Sequence, residues 1–576
     1  MTSPTSPRPR APFLGGACVA AGALLASCGP GAEPPTGVLM ISIDSLRADH
    51  VSSYGYESRT NASVKTTPNL DRYMAEGGAR FERAFSTTSW TLPSHMALLS
   101  GQPNEVHGVK DAPWQLHDEQ PWVASAFQDA GWTTFGIWSG PNLSPYFGFG
   151  RGFDHYVDCS GLETDLRKFD VEADDEWSEL NQEHDQSHRV VTGPLILDQF
   201  TEWFDGLTED ERFFAFVHMW DPHYDYFPPE QYDVFFPNAP NSWIASDNFR
   251  FKDLNGIAGQ KPLARNEMLR LLSLYDAEIR YTDANIGEMF DLLEQAGRLD
   301  STLIVVSSDH GEEFGEHGLY GHKLNLYDET LQIPLFMRLP GTIPDNFLVN
   351  GTTSLVDVAP TVLDIAEVPG HEQMWGRSLK SVFTENVELV ERPVPAELTV
   401  RNETMFRAAR GRLGDVNFKV IDVGEAMRAK LRGNTVGDPR NFKTIEQFVD
   451  RYPAVRMGLY TSKTRQFPET VRELRLVTLP GAQIDDTIQA YAIDTNNRYV
   501  ETSRALWSDV DTAAKAWTGR RKKGVMDEAL MAMLEKMGYA DMSNDDGTGD
   551  GDPEGDGPDG AGASSATGPD GTAGSE

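Results

Sequence analysis

The stretch Ala84-Phe-Ser-Thr-Thr-Ser-Trp-Thr91-Leu-Pro-Ser-His95-Met-Ala-Leu-Leu-Ser-Gly101-Gln-Pro-Asn-Glu-Val-His-Gly108 organises the chain. Pro93 stands two residues after Thr91, and proline suits the first turn of a helix, where its missing N–H is no loss. Met96, Ala97, Leu98 and Leu99 continue as an apolar helical run. Thr91 is therefore expected at a helix N-terminus, among backbone N–H groups without helical partners and at the positive end of the dipole. A hydroxyl held there is placed to bind an anion or to act as a nucleophile.

Outward from this helix, apolar runs alternate with helical patterns. Val38–Ile43 reads as a central parallel strand and stops at Asp44. Trp132–Trp138, Phe213–Met219, Thr302–Ser307 and Ile333–Met337 read as further strands. A helix is expected from Thr67 to about Ala75. Glu267–Gln295 is a long helix with Leu271, Leu274, Ile279, Ile286, Phe290 and Leu293 on its core face and Arg280 and Asp283 in solvent. This alternation implies an α/β fold, a large mostly parallel sheet sandwiched by helices. In such sheets functional groups gather beyond the carboxyl ends of the strands, where Asp44, Asp309 and His310 fall.

The chain has 576 residues and a formal net charge of −37, which argues against nucleic acid as a partner. Arg8 and Arg10 precede an apolar stretch from Ala11 to Leu25, ending in Leu25-Ala26-Ser27-Cys28. This is the layout of an export signal whose Cys28 is lipidated, so residues 1–28 read as a lipoprotein signal peptide and 29–36 as a tether. The protein is then expected in the cell envelope, held to a membrane by lipid. Cys159 is the remaining cysteine of the mature chain, which leaves no intramolecular disulfide. Residues 37–390 read as the catalytic domain and 391–540 as a smaller C-terminal α+β subdomain. In the latter, Phe418–Ile421, Leu474–Leu479 and Ala490–Ile493 form an antiparallel sheet and Ala529–Tyr539 a closing helix. Residues 541–576 hold ten acidic residues, ten glycines and no lysine or arginine, a composition that stays disordered. The acidic segment from Asp158 to Asp185 reads as a solvated insertion.

The chemistry lies in Asp44, Thr91, Asp309-His310 and His322-Lys323 taken together. Singly, an Asp closing a strand is a turn residue, a hydroxyl before a helix is a cap, and a lone His is a satisfied polar group. Jointly, in this order and spacing, they resemble the sulfatases of the alkaline phosphatase superfamily. Pro93, Ser94, Leu99 and Gly101 match the family signature, and Val356–Thr361 with Gly376-Arg377-Ser378-Leu379 is similar to the end of the family's large domain. Two signature positions depart. The family nucleophile is a Cys or Ser converted to formylglycine and here is Thr91; the family Arg is His95.

The resemblance implies that Asp44, Asp309 and His310 hold one divalent cation with Thr91 Oγ beside it. A second Asp and an Asn of the family pattern are Ser45 and His310 here, and exchanging a carboxylate for an imidazole moves the site from calcium toward manganese or zinc, with magnesium and calcium still open. His322 and Lys323 match the family's Gly-His-Lys, and His223 the histidine after Asp-Pro, so these are expected to meet the substrate anion. The family's Lys-x-His falls on Ile137 and Ser139, leaving His223, His95 or water to protonate a leaving group, with Asn142 a further donor. A two-metal site is disfavoured because Asp221 and His223 are not four residues apart.

Thr91 has one hydroxyl and cannot become formylglycine, whose hydrate expels sulfate with its second hydroxyl. Its alkoxide attacks phosphorus and forms a phosphothreonine that water or an alcohol resolves. Chemistry thus favours a small or polymeric phosphate ester over a sulfate ester. A sulfatase working directly through Thr91, and an inactive fold binding anionic glycans or lipids, are the alternatives.

Overall fold

The computed structural model describes residues 33–160, 192–240, 242–245, 254, 263–316, 319–400, 403–413, 416–423, 458–462, 472–474, 498–517, 520, 522–524, 526, 530–531 and 534. The signal peptide with Cys28, most of the acidic insertion, Ala490–Ile493, most of the closing helix and the acidic tail lie outside them.

Eight strands form the central sheet: β1 (Gly37–Ile43), β2 (Ala79–Phe81), β3 (Thr133–Trp138), β4 (His155–Asp158), β5 (Phe213–Met219), β6 (Thr302–Ser308), β7 (Leu335–Arg338) and β8 (Phe347–Val349). Their spatial order is β8-β2-β7-β6-β1-β5-β3-β4. β1 lies centrally, parallel to β5 and β6 along its full length. All three strands are buried from end to end, which is why each reads as an apolar run rather than an alternation. β7 is antiparallel to both neighbours. Ile333–Met337 does not form one strand. Pro334 lacks the N–H a ladder needs, and Gln332–Ile333 pairs instead with Ala84–Phe85 in a separate small sheet.

Apolar clusters cover both faces of the sheet. On one face α1 (Thr91–Ser100) brings Leu92, Met96, Leu98 and Leu99 against Phe214, Phe216 and Leu335. On the other, α2 (Gly193–Asp205) and α3 (Arg265–Gln295) pack Phe200, Leu271, Ile279, Ile286 and Phe290 on Leu39, Ile41, Phe213 and Val217. The core face predicted for α3 is the observed one. Asp283, however, is not in solvent: it is 1% exposed and accepts the backbone N–H groups of Asn69 and Leu70, both 2.9 Å. It thereby satisfies the orphan donors that open the Leu70–Glu76 helix, a seven-residue π-helix where Thr67–Ala75 was expected to be regular.

Beyond the sheet, β9 (Val394–Val400), β10 (Glu403–Leu413), β11 (Val416–Val423), β12 (Gly458–Ser462) and β13 (Arg472–Leu474) form the expected antiparallel C-terminal sheet. Buried ion pairs fasten it to the large domain: Asp328 with Lys419 at 2.8 Å and with Arg410, and Lys110 with Glu397 at 2.8 Å. No described helix is long and apolar enough to cross a membrane.

Candidate active site

The carboxyl edge of the sheet brings together what the sequence separates by more than 200 residues. Asp44 follows β1, Asp309 and His310 follow β6, and Thr91 opens α1; all four are fully buried. Thr91 Oγ1 lies 3.4 Å from Asp44 Oδ2 and 3.3 Å from His310 Nε2. His310 Nε2 lies 3.2 Å from Asp309 Oδ2 and 3.7 Å from Asp44 Oδ1.

The protons of this cluster can be placed. His310 Nδ1 sits 2.8 Å from the Gly311 carbonyl, so Nδ1 carries a hydrogen and Nε2 is the ring atom turned to the two carboxylates. Asp309 Oδ1 accepts the backbone N–H groups of Ser45 (3.1 Å) and His310 (2.8 Å), while its buried Oδ2 has no hydrogen-bond partner among the described residues. Lone pairs converging on one point repel unless a cation stands between them. Burial pushes the Asp44 carboxyl up to about 6, and burial, followed by the charge of Asp44, also raises Asp309, as expected of two acids packed side by side. Asp44, Asp309 and His310 are close enough to share one ion, and they suit a divalent cation.

The other predicted residues are placed around this cluster. His322 Nδ1 lies 3.2 Å from Glu312 Oε1, and its ring centroid is 4.5 Å from that of His310 and 4.9 Å from that of His223. His223 stacks on Trp220 at 4.1 Å. Lys323 Nζ stands 3.6 Å from the centre of the ring of Trp90, the residue before Thr91, and 3.9 Å from Asp111 Oδ1. Lys323 and Ser45, either side of the cluster, both have positive φ (61° and 58°), backbone strain of the kind stored at functional sites. His95 is held differently. Its Nδ1 lies 2.8 Å from the Thr91 carbonyl and its Nε2 2.9 Å from Ser42 Oγ, so both ring nitrogens are engaged in fixing the first turn of α1, and burial holds the ring down to about 3.

Two residues escaped the sequence reading. Glu312 is buried, raised well above the usual carboxylate range by burial, and orients His322. His218 lies inside β5 with Nε2 3.3 Å from Asp44 Oδ2. Its one signal is periodicity, for Phe214, Phe216 and His218 alternate onto the face that α1 covers. Of the absent Lys-x-His, Ile137 is packed in the apolar cluster on the opposite face and Ser139 contacts His218.

A doubly covered sheet with a buried acid–imidazole cluster and a hydroxyl at a helix N-terminus defines an ester hydrolase of the alkaline phosphatase type. Residues 36–368, more than half the chain, match the sulfatase family. The chain belongs to that family. It is 26% identical over 429 residues to the N-acetylglucosamine-6-O-sulfatase of Bacteroides thetaiotaomicron (62% of this chain, 73% of that protein). It is 23% identical over 391 residues to the arylsulfatase of Clostridium perfringens (60% and 78%). The chain spans only 33% of the extracellular sulfatase SULF-1 homolog of Drosophila melanogaster. Two solved structures share the fold. One is a protein in complex with its substrate D-glucosamine-2-N,6-O-disulfate (TM-score 0.54, 19% identity, 73% of this chain and 98% of that one). The other is the phosphonate monoester hydrolase of Agrobacterium radiobacter (TM-score 0.52, 21% identity, 68% and 87%).

Proposed function

We propose that the protein is a metal-dependent phosphoester hydrolase or phosphotransferase in which Thr91 is the nucleophile. The observation that carries this reading is the position of Thr91 Oγ1, at the N-terminus of α1 and within 3.4 Å of both Asp44 and His310. Asp44, Asp309 and His310 would hold a divalent cation, which would supply Lewis acidity toward the Thr91 hydroxyl. Thr91 Oγ bonds to phosphorus as the bond to the departing alkoxide breaks, and the hydroxyl proton leaves on that alcohol. Water or an acceptor alcohol then attacks the phosphothreonine and regenerates Thr91. In this reading Lys323, steadied on Trp90, balances charge on the equatorial oxygens, and His322, held by Glu312 and beside His223, serves the leaving group.

Sulfate is the less favoured ester because a sulfated threonine lacks the exit that formylglycine has. Cys28 anchors the protein to the cell envelope in this reading. The test is mass spectrometry of the Thr91 peptide after brief incubation with nitrophenyl phosphodiester, phosphate and sulfate, alongside turnover of each. A phosphoryl group on Thr91 that phosphatase removes supports the proposal. Thr91-dependent sulfate release without phosphodiesterase activity replaces it with a direct sulfatase, and no turnover with no bound divalent ion replaces it with an anion-binding fold.

A further inference from the structure

Ser139 follows β3, and its backbone N–H and its hydroxyl both face His218 Nδ1, at 3.4 and 3.2 Å. The hydroxyl donates its one hydrogen to the His218 carbonyl at 2.6 Å, so the directed bond onto Nδ1 is that of the backbone N–H. A backbone N–H can only donate, so Nδ1 accepts and the ring hydrogen belongs to Nε2. That Nε2–H is fully buried, has no well-directed hydrogen bond among the described residues, and lies 3.3 Å from Asp44 Oδ2. The other oxygen of Asp44 accepts the Ser45 hydroxyl at 2.8 Å. The His95 ring packs edge-on against His218, with centroids 4.9 Å apart.

We propose that His218 is a positioning residue for the cation site: keyed by Ser139, its Nε2 edge packs 3.3 Å from Asp44 Oδ2 and limits where that oxygen can turn before the ion arrives, while the Ser45 hydroxyl holds the other oxygen. Three neighbouring strands thus join in one chain of contacts, Ser139 after β3, His218 on β5 and Asp44 after β1. A protonated Nε2 has no lone pair to offer, so His218 orients a ligand and is not one. Carboxylates that bind metals are themselves held by hydrogen bonds, and removing such a partner typically lowers metal affinity about 10- to 100-fold. This inference rests on the reading of Asp44, Asp309 and His310 as the cation site, but not on the identity of the ester.

The test is titration of the full chain, stripped by chelator, with Mn(II), reading the free ion by electron paramagnetic resonance. His218→Ala is expected to bind about 10- to 100-fold more weakly. His218→Gln, which restores an N–H at similar reach, is expected to recover most of the loss, and Ser139→Ala to lose less than His218→Ala. A folded His218→Ala protein that binds Mn(II) like wild type overturns the proposal, as does a Gln variant no better than Ala. Should His218→Ala fail to fold, unchanged affinity in Ser139→Ala overturns it instead. Wild type that takes up no divalent ion overturns the cation site itself, an outcome distinct from both.

Discussion

Replacing Asp44 by asparagine turns the burial of the cation cluster into a measurable stability. Burial pushes the Asp44 carboxyl from 3.8 up to about 6 in the metal-free protein. A shift of that size, at about 1.4 kcal/mol per pH unit, makes ionising Asp44 in the folded state cost about 3 kcal/mol more than in the unfolded chain. The folded carboxyl holds its proton more tightly than the unfolded one. Wild-type stability in chelator therefore falls as pH rises between about 4 and about 6, and the loss is complete above that window. Asp44→Asn carries no charge to bury. In chelator at about pH 8 it is expected to be more stable than wild type by up to about 3 kcal/mol, reduced by about 1 kcal/mol where its amide meets the His218 Nε2–H. At about pH 4 the advantage should vanish. Adding Mn(II) or Zn(II) should reverse the order at pH 8, because only wild type retains both carboxylates and a ligand stabilises the state that binds it. Urea midpoints at the two pH values, with chelator and with metal, give all four comparisons. A variant no more stable than wild type in chelator at pH 8, or one stabilised equally by the ion, would refute the reasoning.

Other perturbations address other parts of the molecule. Thr91→Ala should lower turnover at least about a thousandfold and abolish phosphoryl trapping, while Thr91→Ser should retain both; equal turnover by Ala and wild type removes Thr91 from the mechanism. Lys323→Met keeps the stem over Trp90 but removes the charge, and kcat/KM should drop about a hundredfold as one oxyanion-stabilising group is lost; an unchanged kcat/KM places Lys323 outside the reaction. Asp328→Ala leaves the buried Lys419 and the half-buried Arg410 without their carboxylate, and denaturant unfolding should show a loss of about 3–5 kcal/mol. A loss below about 1 kcal/mol would mean that these pairs do not fasten the C-terminal sheet to the large domain.

The strands at the centre of the sheet were legible because burial on both faces leaves an apolar run, and the acids that end β1 and β6 stand out against it. Thr91 was legible from Pro93 and the apolar helix behind it. What escaped depends on partners distant in sequence. Asp283 occupies a helical position that reads as solvated, and its burial follows from a helix end 214 residues away that needs acceptors. Glu312 and His218 took no role from the sequence because their contacts, His322 on another loop and Ser139 on another strand, arise only when the sheet assembles. His95 is a candidate donor in the sequence because the Lys-x-His pair is missing; what only the fold shows is that its Nδ1 lies 2.8 Å from the carbonyl of Thr91, four residues earlier in the helix.

The loss of Lys-x-His therefore need not mean loss of chemistry. Ile137 lies with the apolar side chains of the face opposite α1, and a cation introduced there would stand in the core rather than against a substrate. Ser139 keeps the imidazole next to Asp44 by keying one from the neighbouring strand, in neutral form, since burial holds His218 down to about 4. Substituting a neutral donor for two cationic groups makes the site less able to stabilise a strongly charged leaving group. Among the described residues, Lys323 carries a charge at the ring of Trp90, the residue before Thr91. Such an arrangement supports formation of the bond to Thr91 more than expulsion of a poor leaving group. Esters with acidic alcohols should accordingly react with the smallest penalty, and the slope of log kcat/KM against leaving-group pKa should be steep and negative. A flat slope would show that His223 or His322 protonates the leaving oxygen fully in the transition state, and that the missing pair has been replaced in function as well as in position.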